Sequence, residues 1–520
     1  MNFAFATTDA LKTKADLLIL PLFDAEFSTK KTQLPLLGTA DKRMKNLLIS
    51  LAQQEGFAGK ADQVAVVQTH NKLPVTRVML VGLGARTKFT AEILRQAMGK
   101  AVKAALRLKA KTAVIAVPEL RELESGIRAI VEGFELGAYR YTTWKTGDAD
   151  KKAAKFDRLF LALPGGRKKD KALDAAITLG RRVSKATNFA RDLVNEPAGT
   201  MTPTILAEQA TKMAEAAGLT IEVLGREQIE ELKMGMFLGV ARGSVEEPKL
   251  IHVTYTPANE EFAARPAVAL IGKAITFDSG GLSLKPSDGM LDMKTDMAGS
   301  AAVLGAMEVI AYLKPPFPVH GFMGACENMP SGNAYRLGDV LVSHLGKTVE
   351  ITNTDAEGRL VLGDILAYAN KIKPALMIDL ATLTGACIVA LGNSIAGAFG
   401  DDDQLAWNVL DSARSAGEEV WRMPLSETVR DVLKSDIADM KNAGERWGGA
   451  ISAALFLKEF TGDTPWMHLD IAGPSTSNKE KGYFAKGATG FGVRTLVELI
   501  RKRAAELETI ETAEDSDVTA

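Results

Sequence analysis

Four carboxylates, two lysines and an arginine fall in and around two short, glycine-framed stretches of this 520-residue chain. The first, Gly272-Lys-Ala-Ile-Thr-Phe-Asp-Ser-Gly-Gly281, carries Lys273 and Asp278, with Lys285 and Asp296 close behind. The second, Asn353-Thr-Asp-Ala-Glu-Gly-Arg-Leu360, carries Asp355, Glu357 and Arg359. Uncompensated carboxylates gathered in one cleft raise one another's pKa values and destabilise the fold. Two divalent cations would balance Asp278, Asp296, Asp355 and Glu357 charge for charge. Oxygen ligands suit zinc, manganese, magnesium or cobalt, so the ligand set leaves the metal open. A pair of ions could share a bridging carboxylate and activate a water between them.

The basic residues sharpen this chemistry. Lys285 and Arg359 would face a site already holding two cations, so their task is to meet developing negative charge. A tetrahedral intermediate from water attack on a carbonyl supplies such charge. An ammonium at Lys273 beside two metals is disfavoured, so it either loses its proton and ligates or turns away. Taken singly, each of the seven reads as half of a surface ion pair; together they read as a site.

Other chemistries find little support. The five histidines, His70, His252, His320, His344 and His468, show no ligand spacing and no HExxH. Ser279 lies in Asp-Ser-Gly-Gly, not in the strand-turn-helix elbow GxSxG. His468 therefore reads as a packed or hydrogen-bonded residue. Gly82-Leu83-Gly84 lacks the third glycine of a dinucleotide fingerprint and reads as a tight turn. The two cysteines, Cys326 and Cys387, have no CxxC spacing, which fits a reducing cytoplasm. The amino-terminal stretch lacks a signal-peptide pattern, and no run of 18 apolar residues suggests a membrane span. Net charge is −1, yet residues 1–200 hold 34 Lys and Arg against 20 Asp and Glu. Solvated helix faces or intersubunit contacts explain that partition most simply; a basic platform for DNA is the sharper alternative.

These residues need a scaffold. The length exceeds what one hydrophobic core usually serves, so two domains are expected. Strand-like runs at 15–22, 63–69, 77–81, 112–117 and 156–163 alternate with helical patterns at 40–54, 90–108 and 119–139. That is an α/β domain over residues 1–170 with a mostly parallel sheet. A helical pattern over 171–194, stopped by Pro197, reads as a linking helix spanning 171–197. A second α/β domain with a central mixed sheet follows over 198–503. Its strand candidates are 250–255, 267–271, 319–324, 376–382 and 466–471, and its helices include 203–218, 298–313, 360–370 and 451–460. The run 267–271, closed by Gly272, places the motif residues just past a strand end, where open α/β sheets put their ligands. Residues 504–520, with six acidic residues and no basic ones, read as a disordered tail.

The two stretches resemble the signatures of the leucyl (cytosol) aminopeptidase family. The resemblance continues through Arg191-Asp-Leu-Val-Asn-Glu-Pro197, Asp379-Leu-Ala-Thr-Leu-Thr-Gly-Ala386, Gly448-Gly-Ala450 and His468-Leu-Asp-Ile-Ala-Gly473. It implies a cytoplasmic homohexamer that removes N-terminal residues from peptides with two metals, manganese or zinc first among the candidates. Lys273, Asp278, Asp296 and Glu357 match the holders of the tighter ion, and Asp278, Asp355 and Glu357 those of the more exchangeable one. Lys285 matches the lysine that polarises the scissile carbonyl. Arg359 matches the arginine that holds a bicarbonate ion serving as general base. Met293, Thr382, Gly385 and Ala472 match the pocket for the N-terminal side chain, mostly small or apolar, as leucine-like residues require. Ala274 departs from the family's usual glycine and adds a methyl beside the site. A two-metal phosphoesterase is the rival enzyme, and a DNA-binding accessory protein, as some bacterial relatives are, the rival of another class.

Overall fold

The computed structural model describes residues 1–28, 34–147 and 155–518, with side chains to 509. The chain divides into two compact units: Met1–Lys185 with Asn478–Lys486, and Ala186–Ser477 with Gly487–Ala520. The division falls inside the helix Lys171–Asn195, and a short late segment returns to the first unit.

In the first unit, strands β1 (Asn2–Phe5), β2 (Ala15–Phe23), β3 (Val64–Gln68), β4 (Val75–Gly84), β5 (Thr112–Ala116) and β6 (Arg158–Ala162) form one sheet, ordered β1-β6-β5-β2-β4-β3. All neighbours are parallel except β3 and β4. Leu17 and Ile19 of β2 pack into one core and Leu18, Leu20 and Leu22 into another. Both faces are covered, so Leu17 to Phe23 is an unbroken apolar run instead of an alternating one. Gly82 and Gly84 belong to β4 and form no separate turn. A Cβ at Gly82 would lie 1.9 Å from the Lys60 carbonyl oxygen, so close backbone approach, not a ligand, requires the glycine. The 40–54 pattern is two helices, Pro35–Arg43 and Leu47–Gln54, broken where Lys45 and Asn46 turn left-handed at φ 58 and 61°.

The second unit holds β7 (Thr220–Leu224), β8 (Lys249–Tyr255), β9 (Val268–Asp278), β10 (Val319–Asn328), β11 (Val340–Val342), β12 (Thr348–Glu350), β13 (Leu376–Ala381), β14 (Ile395–Phe399), β15 (Glu419–Arg422), β16 (Met440–Lys441) and β17 (Trp466–Asp470). Eight form a mixed sheet, β15-β14-β17-β13-β9-β10-β8-β7, and β11-β12-β16 form a small one. The central strands β10, β9, β13 and β17 are parallel, so their carboxyl ends share one edge.

Here the structure corrects the sequence reading. β9 does not close at Gly272 but runs to Asp278, so Lys273 lies within the strand and Asp278 ends it. Ala274-Ile-Thr-Phe277 keeps the strand going because β-branched and aromatic residues suit a buried ladder. Gly272 marks a close crossing instead: a Cβ there would sit 2.5 Å from Ser300 Cα. Gly299 answers from the other side, where a Cβ would lie 2.0 Å from the Leu380 carbonyl oxygen. The helix Ala298–Leu313 thus lies against β9 and β13 backbone to backbone. It belongs to the one stretch, Ser287–Leu313, long and apolar enough to cross a membrane among the described residues; 78% of its apolar 18-residue segment is buried inside the fold, as in a core helix. The segment from Ala504 continues the helix Val493–Val518, where Ala504-Ala-Glu-Leu-Glu508 has strong helix propensity, and so departs from the disordered tail expected.

Candidate active site

Asp278 at the end of β9, the loop at 353–357 and the turn Met293–Met297 bring the seven residues together at the carboxyl edge of the sheet. Lys273 is 4% exposed, Asp278 2%, Asp296 4% and Glu357 1%. Ligand oxygens of Asp278, Asp355 and Glu357 lie within 4.8 Å of one another. Asp296 joins through Lys273, whose Nζ lies 2.7 Å from Asp296 Oδ2 and 2.8 Å from Glu357 Oε1, and donates to the Thr382 carbonyl at 3.1 Å. Lys285 Nζ sits 2.9 Å from Asp278 Oδ2 and pairs with Asp355 Oδ1.

Electrostatics follow from crowding. Burial pushes the Asp296, Glu357 and Asp355 carboxyls up, and neighbouring carboxylates, Asp278 among them, push the same way. For Lys273 burial acts downward, but Asp296, Glu357 and Asp278 outweigh it and hold the ammonium form. Lys285 behaves alike beside Asp278 and Glu357. Burial lowers the Arg359 guanidinium to about 10, which still leaves it charged at neutral pH.

The backbone around the motif explains its glycines. Gly280 and Gly281 have φ of 87 and 63°, and a Cβ at Gly280 would fall 2.4 Å from the Ser283 carbonyl oxygen and 3.0 Å from Asp355 Oδ1. Ala274, by contrast, sits in regular strand with no positive φ, so its methyl is accommodated.

Arg359 donates from a terminal nitrogen to the Asn442 carbonyl at 2.9 Å, while its buried Nε finds no hydrogen-bond partner among the described residues. Thr382 Oγ1 donates to Asp296 Oδ1 at 2.7 Å. Ala472 and Leu383 both donate backbone N–H groups to Asp470 Oδ1, which ties the Ala472 turn to the Thr382 loop. Gly385 opens the helix Gly385–Leu391, and a Cβ there would meet nothing within 4 Å. Met293 begins the turn that carries Asp296. His468 is the buried, hydrogen-bonded residue expected, its Nδ1 lying 2.6 Å from Asp379 Oδ1.

Sequence reading singled out none of the supporting groups Asn328, Tyr335, Thr354 and Asn442. Their signal is weak, because each acts through backbone carbonyls or through another side chain. Asn442 donates from Nδ2 to the Asn353 carbonyl at 2.6 Å and accepts from Thr352 N at 2.9 Å, clamping the second motif.

The donor set fits divalent cations on its own geometry. Converging carboxylate oxygens, with Glu357 Oε2 buried and without a hydrogen-bond partner among the described residues, fit oxygen-seeking ions. At the carboxyl edge of an α/β sheet this constellation defines a metal-dependent hydrolase. The model of the cytosol aminopeptidase family catalytic domain matches residues 188–497, and that of the family's N-terminal domain matches 19–148. A probable cytosol aminopeptidase of Gloeobacter violaceus is 43% identical over 89% of this chain and 93% of its own length. One from a Cyanothece species is 43% identical over 96% and 99%. Among solved structures, a variant of tomato leucine aminopeptidase superposes with a TM-score of 0.88 at 36% identity, covering 96% of each chain. The bottromycin maturation enzyme BotP in complex with manganese gives 0.82 at 35% identity, covering 94% of this chain and all of its own. The chain belongs to the cytosol aminopeptidase family, and is a metal-dependent aminopeptidase acting on peptide bonds.

Proposed function

We propose that the chain releases N-terminal residues, leucine and other apolar ones preferred, from peptides by a two-metal mechanism. The observation that carries this reading is the convergence of Asp278, Asp355 and Glu357 within 4.8 Å, with Lys273 joining Asp296 to the same cluster. Lys273, Asp278, Asp296 and Glu357 would hold one ion, and Asp278, Asp355 and Glu357 the other. When bound, the ions supply charge balance, Lewis acidity and an activated water. Lys273 would hold an ion only through a neutral Nζ, whereas Asp296 and Glu357 keep it as the ammonium in the unliganded arrangement. Manganese and zinc head the candidates, and the manganese complex of BotP favours the former.

Lys285, held protonated against Asp278 and Asp355, orients toward the scissile carbonyl and meets the charge growing on its oxygen. Arg359, anchored by the Asn442 carbonyl, keeps its buried Nε for an anion, and bicarbonate fits that donor. Bicarbonate there supplies general-base capacity that no histidine offers. Met293, Thr382, Gly385 and Ala472 would receive the N-terminal side chain, and the open space over Gly385 suits a branched apolar group.

A cytoplasmic homohexamer is part of this proposal. The exposed side chains of Leu337, Val340, Val342 and Leu345 are apolar surface that an assembly would cover. DNA contact through the basic residues of 1–200 is a second role, motivated by their charge excess. Arg167 and Lys169 are paired with Asp170 and Asp174 at 3.1 Å, which reduces what that cluster offers a phosphate. A mobility shift unchanged in salt slope by charge reversal at Arg167, Lys168 and Lys169 would dismiss the cluster.

The test is hydrolysis of leucyl-p-nitroanilide by metal-stripped protein re-supplied with manganese, zinc, magnesium or cobalt, beside Lys285→Ala and Glu357→Ala. Activity restored by metal, lost in both variants and absent on N-acetylated substrate is expected. Equal activity on blocked and free amino termini would overturn the exopeptidase reading.

A further inference from the structure

Asn328 is fully buried at the end of β10, outside the set of seven. Its Nδ2 donates to Asp278 Oδ1 at 2.8 Å and to the Thr354 carbonyl at 2.9 Å. Both partners are pure acceptors, so the amide orientation is fixed: a flipped Asn328 would set oxygen against two oxygens. One side chain thus bolts the strand that ends in Asp278 to the loop that carries Asp355 and Glu357.

The ladder is built to allow this. β9 and β10 pair in register from Val268 and Val319 to Ile275 and Cys326, and then the register shifts: Glu327 faces Phe277 and Asn328 faces Asp278. Thr276 is the extra residue, a bulge on β9. Paired residues of parallel strands project to the same face and successive ones alternate. Without the bulge Asn328 would stand opposite Phe277, with Asp278 turned to the other face. Bulges of this kind re-aim side chains beside active sites and are rare between parallel strands.

Further bonds stiffen the junction. Ser279 donates from its backbone N–H and its hydroxyl to the Asn328 carbonyl, at 3.0 and 2.6 Å. Thr354 Oγ1 donates to the Gly280 carbonyl at 2.7 Å, and Tyr335 donates to the Thr354 carbonyl at 2.7 Å. Of these groups only Asn328 touches a candidate metal-ligating carboxylate and the second motif with one nitrogen.

We infer that Asn328 is a positioning residue that sets the spacing between Asp278 and the Asp355–Glu357 loop, and through it the affinity for the ion those carboxylates share. The inference rests on the two-metal reading above. Supporting groups that orient metal ligands are worth about 10–100-fold in metal affinity or activity when removed.

The test is calorimetric titration of metal-stripped wild type, Asn328→Ala, Asn328→Asp and Tyr335→Phe with Mn²⁺, alongside thermal unfolding of the stripped proteins. Asn328→Asp keeps the shape and turns oxygen on Asp278, so it decides the matter if Asn328→Ala does not fold. Both Asn328 variants are expected to lose about 10–100-fold in affinity for the weaker ion and to show lowered kcat that excess Mn²⁺ partly restores. Tyr335→Phe, which leaves Asp278 untouched, is expected to change affinity less than threefold. Wild-type affinity in folded Asn328 variants, even with a lowered melting point, would reduce Asn328 to a structural bond and overturn the inference alone. Failure of the wild type to take up Mn²⁺ would overturn the two-metal reading with it.

Discussion

Gly358 follows Glu357 and opens the helix Gly358–Asn370, where alanine should be the better helix former by up to about 1 kcal/mol. The site reverses that expectation. A Cβ at Gly358 would lie 2.4 Å from Lys273 Cε and 2.6 Å from its Nζ, so the side chain must retreat by about 1 Å to reach ordinary contact. Lysine tips usually swing away at little cost, but this one is 4% exposed and pinned by Asp296, Glu357 and the Thr382 carbonyl. Displacement stretches contacts of 2.7 and 2.8 Å beyond hydrogen-bonding range. Disrupting a buried ion pair costs about 3–5 kcal/mol, which exceeds the helix gain and leaves a net loss of about 2–4 kcal/mol. Gly358→Ala should therefore melt several degrees below wild type and lose about 100-fold in kcat/KM through ligand displacement. Gly289→Ala is the control, since its nearest neighbour would be Pro286 Cδ at 3.8 Å. Wild-type melting and kcat/KM in Gly358→Ala would refute the argument that Lys273 is rigidly held.

Two other perturbations test the surroundings. Glu418 is buried and accepts from the N–H groups of Gly492 and Thr495 and from Thr495 Oγ1, capping the helix Val493–Val518; Glu418→Ala should lower stability by about 2–4 kcal/mol, read as a urea midpoint shift at unchanged slope. His252 and His320 share a hydrogen bond of 2.8 Å, and burial together with His320 draws His252 down to about 4. Since the unfolded chain binds this proton near 6.5, stability present above that value should fall as pH drops toward 4, by at most about 3 kcal/mol. Melting curves of His252→Gln should show a shallower acid limb; an identical limb would clear the pair of that role.

Some of the fold could be read from the residues and some could not. The carboxylates and lysines were legible because like charges close in sequence demand compensation wherever they are buried. The parallel strands were legible because β2, β9 and β13 are buried along most of their length and therefore carry long apolar runs. Gly272 misled, since a glycine that admits a crossing backbone looks the same in sequence as one that ends a strand. The edge strands β7 and β15 escaped because their exposed faces dilute the apolar signal. Asn328 was invisible for another reason: its meaning depends on a one-residue register shift that exists only once β9 and β10 are paired.

The central claim is that Asp278, Asp355 and Glu357 share two divalent ions with Lys273 and Asp296. The most direct measurement is a count of Mn²⁺ bound per chain to stripped protein, followed in parallel with release of N-terminal leucine. Two ions per chain are expected, with Asp355→Asn retaining the tighter one and losing the other together with most activity. A single ion per chain at full activity, or full activity in Asp355→Asn, would contradict the account.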